Sequence, residues 1–239
     1  MNVIVQPETT TALMFHGFTG APSDVEPIIQ TLSSYGWNCH APLLPGHENE
    51  YSAIGRTSWT EWLDCAVEEA EICKRKYGSF SVVGFSMGCY LAAYIANRYP
   101  VERVVLLNAP VILLSPTRFF SFVWEKVRAR DFAQFRRAAK IPHSALLEFM
   151  KMASKLRHEF RGIRQPTLIC QSERDQVVHP RSASYLDRII PGQTHVVMFP
   201  LSKHVICWDV EAEEVVRVVE RFLVSGLPPG HAEMMNGEN

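Results

Sequence analysis

Phe80-Ser81-Val82-Val83-Gly84-Phe85-Ser86-Met87-Gly88 is an apolar run that ends in Gly-x-Ser-x-Gly and opens a helical pattern at Met87. The run Phe80 to Phe85 reads as a strand, and Met87 to Arg98, which ends before Pro100, reads as a helix. A sharp strand-to-helix turn between them forces the serine into a strained backbone conformation. The flanking Gly84 and Gly88 remove side chains that would collide with the neighbouring strand and helix. The Ser86 hydroxyl is thereby held out at the edge of a sheet. The Met87 amide, at a helix N-terminus, is a candidate donor to an oxyanion.

Outward from this turn, short apolar runs alternate with helical patterns. Ala12 to Phe15, Trp37 to Leu44, Val104 to Leu107, Thr167 to Gln171 and His195 to Phe199 are further strand candidates. Trp59, Trp62, Leu63, Ala66, Val67, Ala70 and Cys73 follow helical spacing behind a candidate capping box, Ser58 and Glu61. Ser182 to Ile190 and Asp209 to Val224 are also helical, the last closed by Gly226. This alternation predicts an α/β fold: a mainly parallel central sheet with helices on both faces.

One segment breaks the rhythm. Residues 112–162 show helical patterns without a strand, and read as a helical cap inserted after the fourth predicted strand. The expected organisation is a core of residues 1–111 and 163–224, the cap, and a flexible Gly- and Pro-containing tail, residues 225–239. From Arg118 to Arg164 the cap region carries about 12 basic and about 4 acidic residues, roughly +8. It also carries Phe119, Phe120, Phe122, Trp124, Phe132, Phe135, Phe149, Met150 and Met152. Two readings fit: an amphipathic subdomain with its basic side in water, or a lid with an apolar lining and a basic rim that attracts anions or a membrane surface.

Composition narrows the function classes. With 24 Lys+Arg against 25 Asp+Glu the net charge is -1, which argues against a general nucleic-acid binder. The six cysteines are scattered without a metal-ligand or CxxC spacing, so they read as free thiols of a reducing cytoplasm. The first residues carry no signal-peptide pattern. The longest apolar stretch, Val104 to Leu114, is interrupted by Asn108 and Pro110 and is too short to span a bilayer. A cytoplasmic protein without stable membrane insertion is expected.

A serine hydroxyl needs a base. Of the nine histidines, His231 lies in the tail, and His143 and His158 lie in the basic cap. His16 and His47 sit beside glycines at strand ends as supporting candidates. His204 follows the last strand and precedes the last helix, in the kind of loop where parallel sheets assemble sites. The base needs a carboxylate to fix its tautomer. Asp175, just after the fifth strand, is the leading candidate; Glu173, nearer the strand end, and Asp209, which reads as a helix cap, are its rivals. A second oxyanion donor is expected from His16-Gly17-Phe18-Thr19-Gly20, at the Phe18 amide.

These residues resemble the α/β-hydrolase superfamily, and within it bacterial carboxylesterases of the monoacylglycerol lipase-like type. The matching stretches are Leu13 to Gly20, Cys39 to Pro42 with Gly46-His47, Gly84 to Gly88, Asp175 to Val178 and Ser202 to Ile206, in order along most of the chain. The resemblance implies Ser86 as nucleophile, Asp175 and His204 as its partners, and the Phe18 and Met87 amides as the oxyanion hole. It departs at Lys203, where glycine is common, and at Gly46-His47-Glu48, where a third glycine is common. The expected activity is cofactor- and metal-free hydrolysis of lipophilic short- to medium-chain carboxylic esters, monoacylglycerols among them. Thioesterase, acyltransferase, amidase or carbon–carbon hydrolase chemistry on the same three residues is the alternative. A ligand-binding protein that has lost turnover is the third.

Overall fold

The apolar runs become strands, and Thr11–Phe15, Phe80–Phe85 and Thr167–Ser172 are buried on both faces. The computed structural model describes residues 10–48, 51–113 and 142–226. Among them are β1 (Thr11–Phe15), β2 (Asn38–His40), β3 (Phe80–Phe85), β4 (Val101–Leu107), β5 (Thr167–Ser172) and β6 (Thr194–Phe199). They form one sheet in the order β2-β1-β3-β4-β5-β6, every neighbouring pair parallel.

Helices fill the connections: α1 (Glu26–Ser34), α2 (Tyr51–Ile54), α3 (Trp59–Tyr77), α4 (Gly88–Ala96), α5 (His143–Leu156), α6 (Arg181–Ile189) and α7 (Ala212–Ser225). The two-residue period of the strands divides the core in two. Leu13, Phe15, Val82, Val104, Leu106 and Ile169 pack with residues of α3, α4, α5 and α6. Ala12, Met14, Val83, Val105, Leu107 and Leu168 pack on the other face with residues of α1 and α7. The expected capping box closes α3: Ser58 Oγ accepts from Glu61 N, and Glu61 Oε2 accepts from Ser58 N. Gly226 ends α7 in the left-handed conformation, φ 64°.

β1 and β3 are neighbours in the sheet but not in sequence. The chain leaves β1 toward β2 on one side and continues from β3 toward β6 on the other. The carboxyl ends of β1 and β3 therefore flank the crevice where the direction of winding reverses, the place where such sheets form sites.

The bounds of β2 and α7 differ from expectation, and α1 and α2 lie where no element was expected. The strand expected over Trp37–Leu44 is only Asn38–His40. The Trp37 amide donates to Leu32 O at the end of α1, and Pro42 and Pro45 lack the amides a longer ladder needs. Asp209 is not the cap of the last helix; Glu211 occupies that position. Ser225, assigned to the tail, is the last residue of α7. Residues 114–141, including Phe119 to Trp124, Phe132 and Phe135, and residues 227–239, including His231, lie outside the described residues. No helix among the described residues is long and apolar enough to cross a membrane.

Candidate active site

The turn after β3 has the geometry its glycines imply. Ser86 sits at φ 50°, a left-handed conformation that costs a residue with a Cβ about 1–2 kcal/mol. Its amide donates to Leu107 O of β4 at 2.8 Å, which locks the turn against the next strand. A Cβ on Gly84 would lie 2.6 Å from Cys89 Cα, and one on Gly88 would lie 2.2 Å from Phe15 O. Only glycine lets α4 pack this closely on β3 and β1. Met87 is the N-cap residue of α4.

The structure brings Ser86, Asp175 and His204 together at the carboxyl edge of the sheet. His204 Nε2 lies 2.9 Å from Ser86 Oγ, and His204 Nδ1 lies 2.7 Å from Asp175 Oδ2. All three residues are buried. The other carboxyl oxygen, Asp175 Oδ1, accepts from the amides of Val177 and Val178 at 2.8 and 2.9 Å. With Oδ2 as acceptor, the Nδ1 proton of His204 is directed at Asp175 and the Nε2 lone pair at the serine hydroxyl. Of the rivals, Glu173 is exposed, and Asp209 binds the amides of Lys203 and Val210.

The histidine loop is held on several sides. Glu211 Oε2 accepts from Leu201 N, Ser202 N and Ser202 Oγ at 3.0, 2.7 and 2.6 Å. Asp209 Oδ2 accepts from Lys203 N at 2.6 Å, while the Lys203 side chain is exposed. Asn108 Nδ2 donates to His204 O at 2.8 Å. The Phe85 ring lies 5.4 Å from the His204 ring. Sequence reasoning assigned no role to Glu211, Asn108 or Phe85; Asn108 entered only as an interruption of an apolar run.

The loop after β1 lies against the serine. A Cβ on Gly17 would meet the Phe85 ring at 3.1 Å and Ser86 Cβ at 3.4 Å. His16 shapes this loop: its Nε2 accepts from Leu44 N at 3.1 Å, so its proton is on Nδ1, which donates to Gly17 O at 2.9 Å. Buried Asp24 accepts from Gly17 N at 3.4 Å. The ring of Phe18 stacks on Phe149 of α5, 5.4 Å between centroids, and meets the edge of Trp62 at 6.2 Å. Of the other cap residues expected near a ligand, Met152 is buried and Met150 is exposed.

His47 packs on His16 and Trp62, 4.8 and 5.7 Å between centroids. Its Nδ1 faces the carbonyls of Leu44 and Pro45. Burial, with the neighbouring His16 adding to it, pushes its pKa from 6.5 down to about 3.

A family model described as the alpha/beta hydrolase family matches residues 12–218. The chain belongs to this family. Among curated proteins it is similar to a thermostable monoacylglycerol lipase of Bacillus sp. (strain H-257), 26% identical over 223 residues, which cover 88% of this chain and 89% of that one. Among solved structures, one of the metagenome-derived lipolytic enzymes LipS and LipT matches with a TM-score of 0.76 at 19% identity, over 92% of this chain and 94% of that one. The monoacylglycerol lipase of Paleococcus ferrophilus matches with a TM-score of 0.68 at 16% identity, over 91% and 95%.

In this α/β hydrolase the departure at Lys203 has a local accommodation, and the first glycine of the Gly46-His47-Glu48 stretch has a local reason. At Lys203 the amide, not the side chain, is tied down. Gly46, at φ 78°, remains where a Cβ would lie 2.3 Å from Thr57 Oγ1. Among the described residues no group of three or more His, Cys, Asp or Glu could hold a metal ion.

Proposed function

We propose that this α/β hydrolase is a serine carboxylesterase that cleaves lipophilic short- to medium-chain esters, monoacylglycerols among them, through an acyl-enzyme on Ser86. The observation that carries the reading is the continuous hydrogen-bonded line Ser86 Oγ, His204 Nε2, His204 Nδ1 and Asp175 Oδ2, with links of 2.9 and 2.7 Å.

In this reading His204 takes the Ser86 proton as the oxygen attacks the ester carbonyl, and Asp175 stabilises the imidazolium that forms. The amides of Phe18 and Met87 bind the oxyanion. His204 then protonates the leaving alcohol, and a water activated by the same nitrogen releases the acid. Residues 112–162 act as a cap over the acyl chain, with Phe149 against Phe18 as part of its apolar wall. The body, residues 1–111 and 163–224, carries the reacting groups. The Bacillus relative, named as a monoacylglycerol lipase, supports the substrate class. The cytoplasmic location and a small-molecule ester as the partner belong to the same proposal.

The test is turnover of 4-nitrophenyl esters from acetate to palmitate, with 1-monoacylglycerols and acyl-CoA thioesters alongside. A maximum at short to medium acyl chains, with ester exceeding thioester turnover, is expected. A flat or absent ester response overturns the reading, and thioester preference replaces it with the thioesterase alternative.

A further inference from the structure

Strand β4 supplies no member of the proposed triad, yet its last residue and the next one touch all three arms of it. Leu107 O accepts the amide of Ser86 at 2.8 Å. Asn108 then turns away at φ 47°, a left-handed conformation that asparagine tolerates better than most residues. Its side chain is completely buried and spends its hydrogen bonds on the other two arms. Asn108 Oδ1 accepts from Ser172 N at 2.7 Å, at the end of the strand that leads to Asp175. Asn108 Nδ2 donates to Ser172 Oγ at 3.0 Å and to His204 O at 2.8 Å. Its own amide donates to Cys170 O at 2.9 Å.

We infer that Asn108 is a positioning residue for the hydrolytic reaction: its carboxamide holds the main chain of His204 in register with Asp175 and Ser86. The inference rests on the proposed roles of those three residues.

The physical reasoning is geometric. His204 belongs to a loop, and its ring must satisfy Ser86 on one side and Asp175 on the other. Glu211 and Asp209 fix the loop before the histidine, at residues 201–203. The histidine's own carbonyl accepts from Ile206 N at 2.9 Å within the loop and from Asn108 Nδ2 at 2.8 Å, and Asn108 ties it to the turn where Leu107 holds the serine. Acid arm, base arm and nucleophile turn therefore share one rigid reference point. A shift of about 1 Å in such an arrangement costs on the order of 10²-fold in rate.

Two variants separate positioning from folding. Asn108→Gly removes the carboxamide and relaxes the left-handed backbone. Asn108→Asp keeps the acceptor for Ser172 N and removes the donor to His204 O, so it answers the question if the glycine variant does not fold. Each is measured for kcat and KM on 4-nitrophenyl butyrate, for the rate of fluorophosphonate labelling at Ser86, and for the far-downfield proton resonance of His204 Nδ1–H. In a folded variant, a kcat lower by about 10²-fold, KM near the parent's, slower labelling and a shifted or lost resonance are expected. A folded variant with the parent's kcat and resonance overturns the inference. A parent enzyme that neither turns over esters nor labels at Ser86 counts against the proposed function instead. The resonance, read in parent and variants, still reports whether Asn108 holds the histidine.

Discussion

Gly88 presses so closely on Phe15 that a Cβ at position 88 would lie 2.2 Å from the Phe15 carbonyl oxygen and 2.8 Å from its Cβ. Both obstacles belong to the interior strand β1, which cannot move without disturbing β2 and β3. Gly88→Ala is therefore expected to push α4 outward and carry the Met87 amide with it. Overpacking of this kind costs about 1–3 kcal/mol. Urea denaturation checks the stability loss, and the same preparation should show a lower kcat on esters.

Ser86 combines the proposed nucleophile with a backbone strain that glycine would not feel. Ser86→Ala is expected to lose on the order of 10⁴–10⁶ in kcat while keeping the fold. Ser86→Gly should be as inactive, yet more stable than Ser86→Ala by about 1 kcal/mol, because φ 50° is free for glycine. Equal unfolding midpoints for the two variants would contradict this account of the turn.

His47 makes stability fall on mild acidification. Its pKa drops from 6.5 to about 3 on folding, chiefly through burial. Above 6.5 neither state binds the proton. Between 6.5 and about 3 the unfolded chain binds it and the folded protein does not, so stability declines as pH falls, by at most about 1.4 kcal/mol per pH unit. Urea midpoints compared between about pH 7 and about pH 5 avoid the range where carboxylates titrate. The parent is expected to lose more stability over this interval than His47→Gln.

Glu159 is buried in the 3₁₀ turn after α5 and accepts from both guanidinium nitrogens of Arg98, at 2.9 and 2.8 Å, and from Asn97 Nδ2 at 2.7 Å. Burial pushes its carboxyl pKa up, but these hydrogen bonds together outweigh burial and hold it below the usual value. Arg98→Ala leaves the carboxylate with a weaker set of partners, at a cost of about 1–3 kcal/mol; the 40% exposure of Arg98 keeps this below a fully buried pair. The loss is read by chemical denaturation. Ester turnover at low temperature should stay near the parent's, since Arg98 lies two residues past the end of α4 that is remote from Ser86.

Features written in adjacent residues were legible in the sequence, as were Asp175 and His204 from their places in loops after strands; partners across the sheet without such a mark were not. Ser86 was readable because strand, turn and helix follow one another directly in Val83 to Gly88. The bounds of β3 follow from its own apolar run. Helix α1 went unread, although Ile28, Ile29 and Leu32 have helical spacing; Pro22 and Pro27 sit in the stretch, where they serve a short 3₁₀ turn and the first turn of α1. Asn108 was unreadable because its partners lie 64 and 96 residues away. Asp209 reads as a helix-start residue, but Glu211 holds that position. Only the fold reveals that both carboxylates reach back to the histidine loop.

From β3 onward, strands join the sheet at one edge in the order in which a ribosome delivers them, and β6 is the last. The serine emerges early, but its imidazole partner is 118 residues further on, beyond that final strand. If Ser86 and His204 act as proposed, a nascent chain carries an unarmed alcohol until the outermost strand has docked, and hydrolytic power arrives only with completion of the whole body.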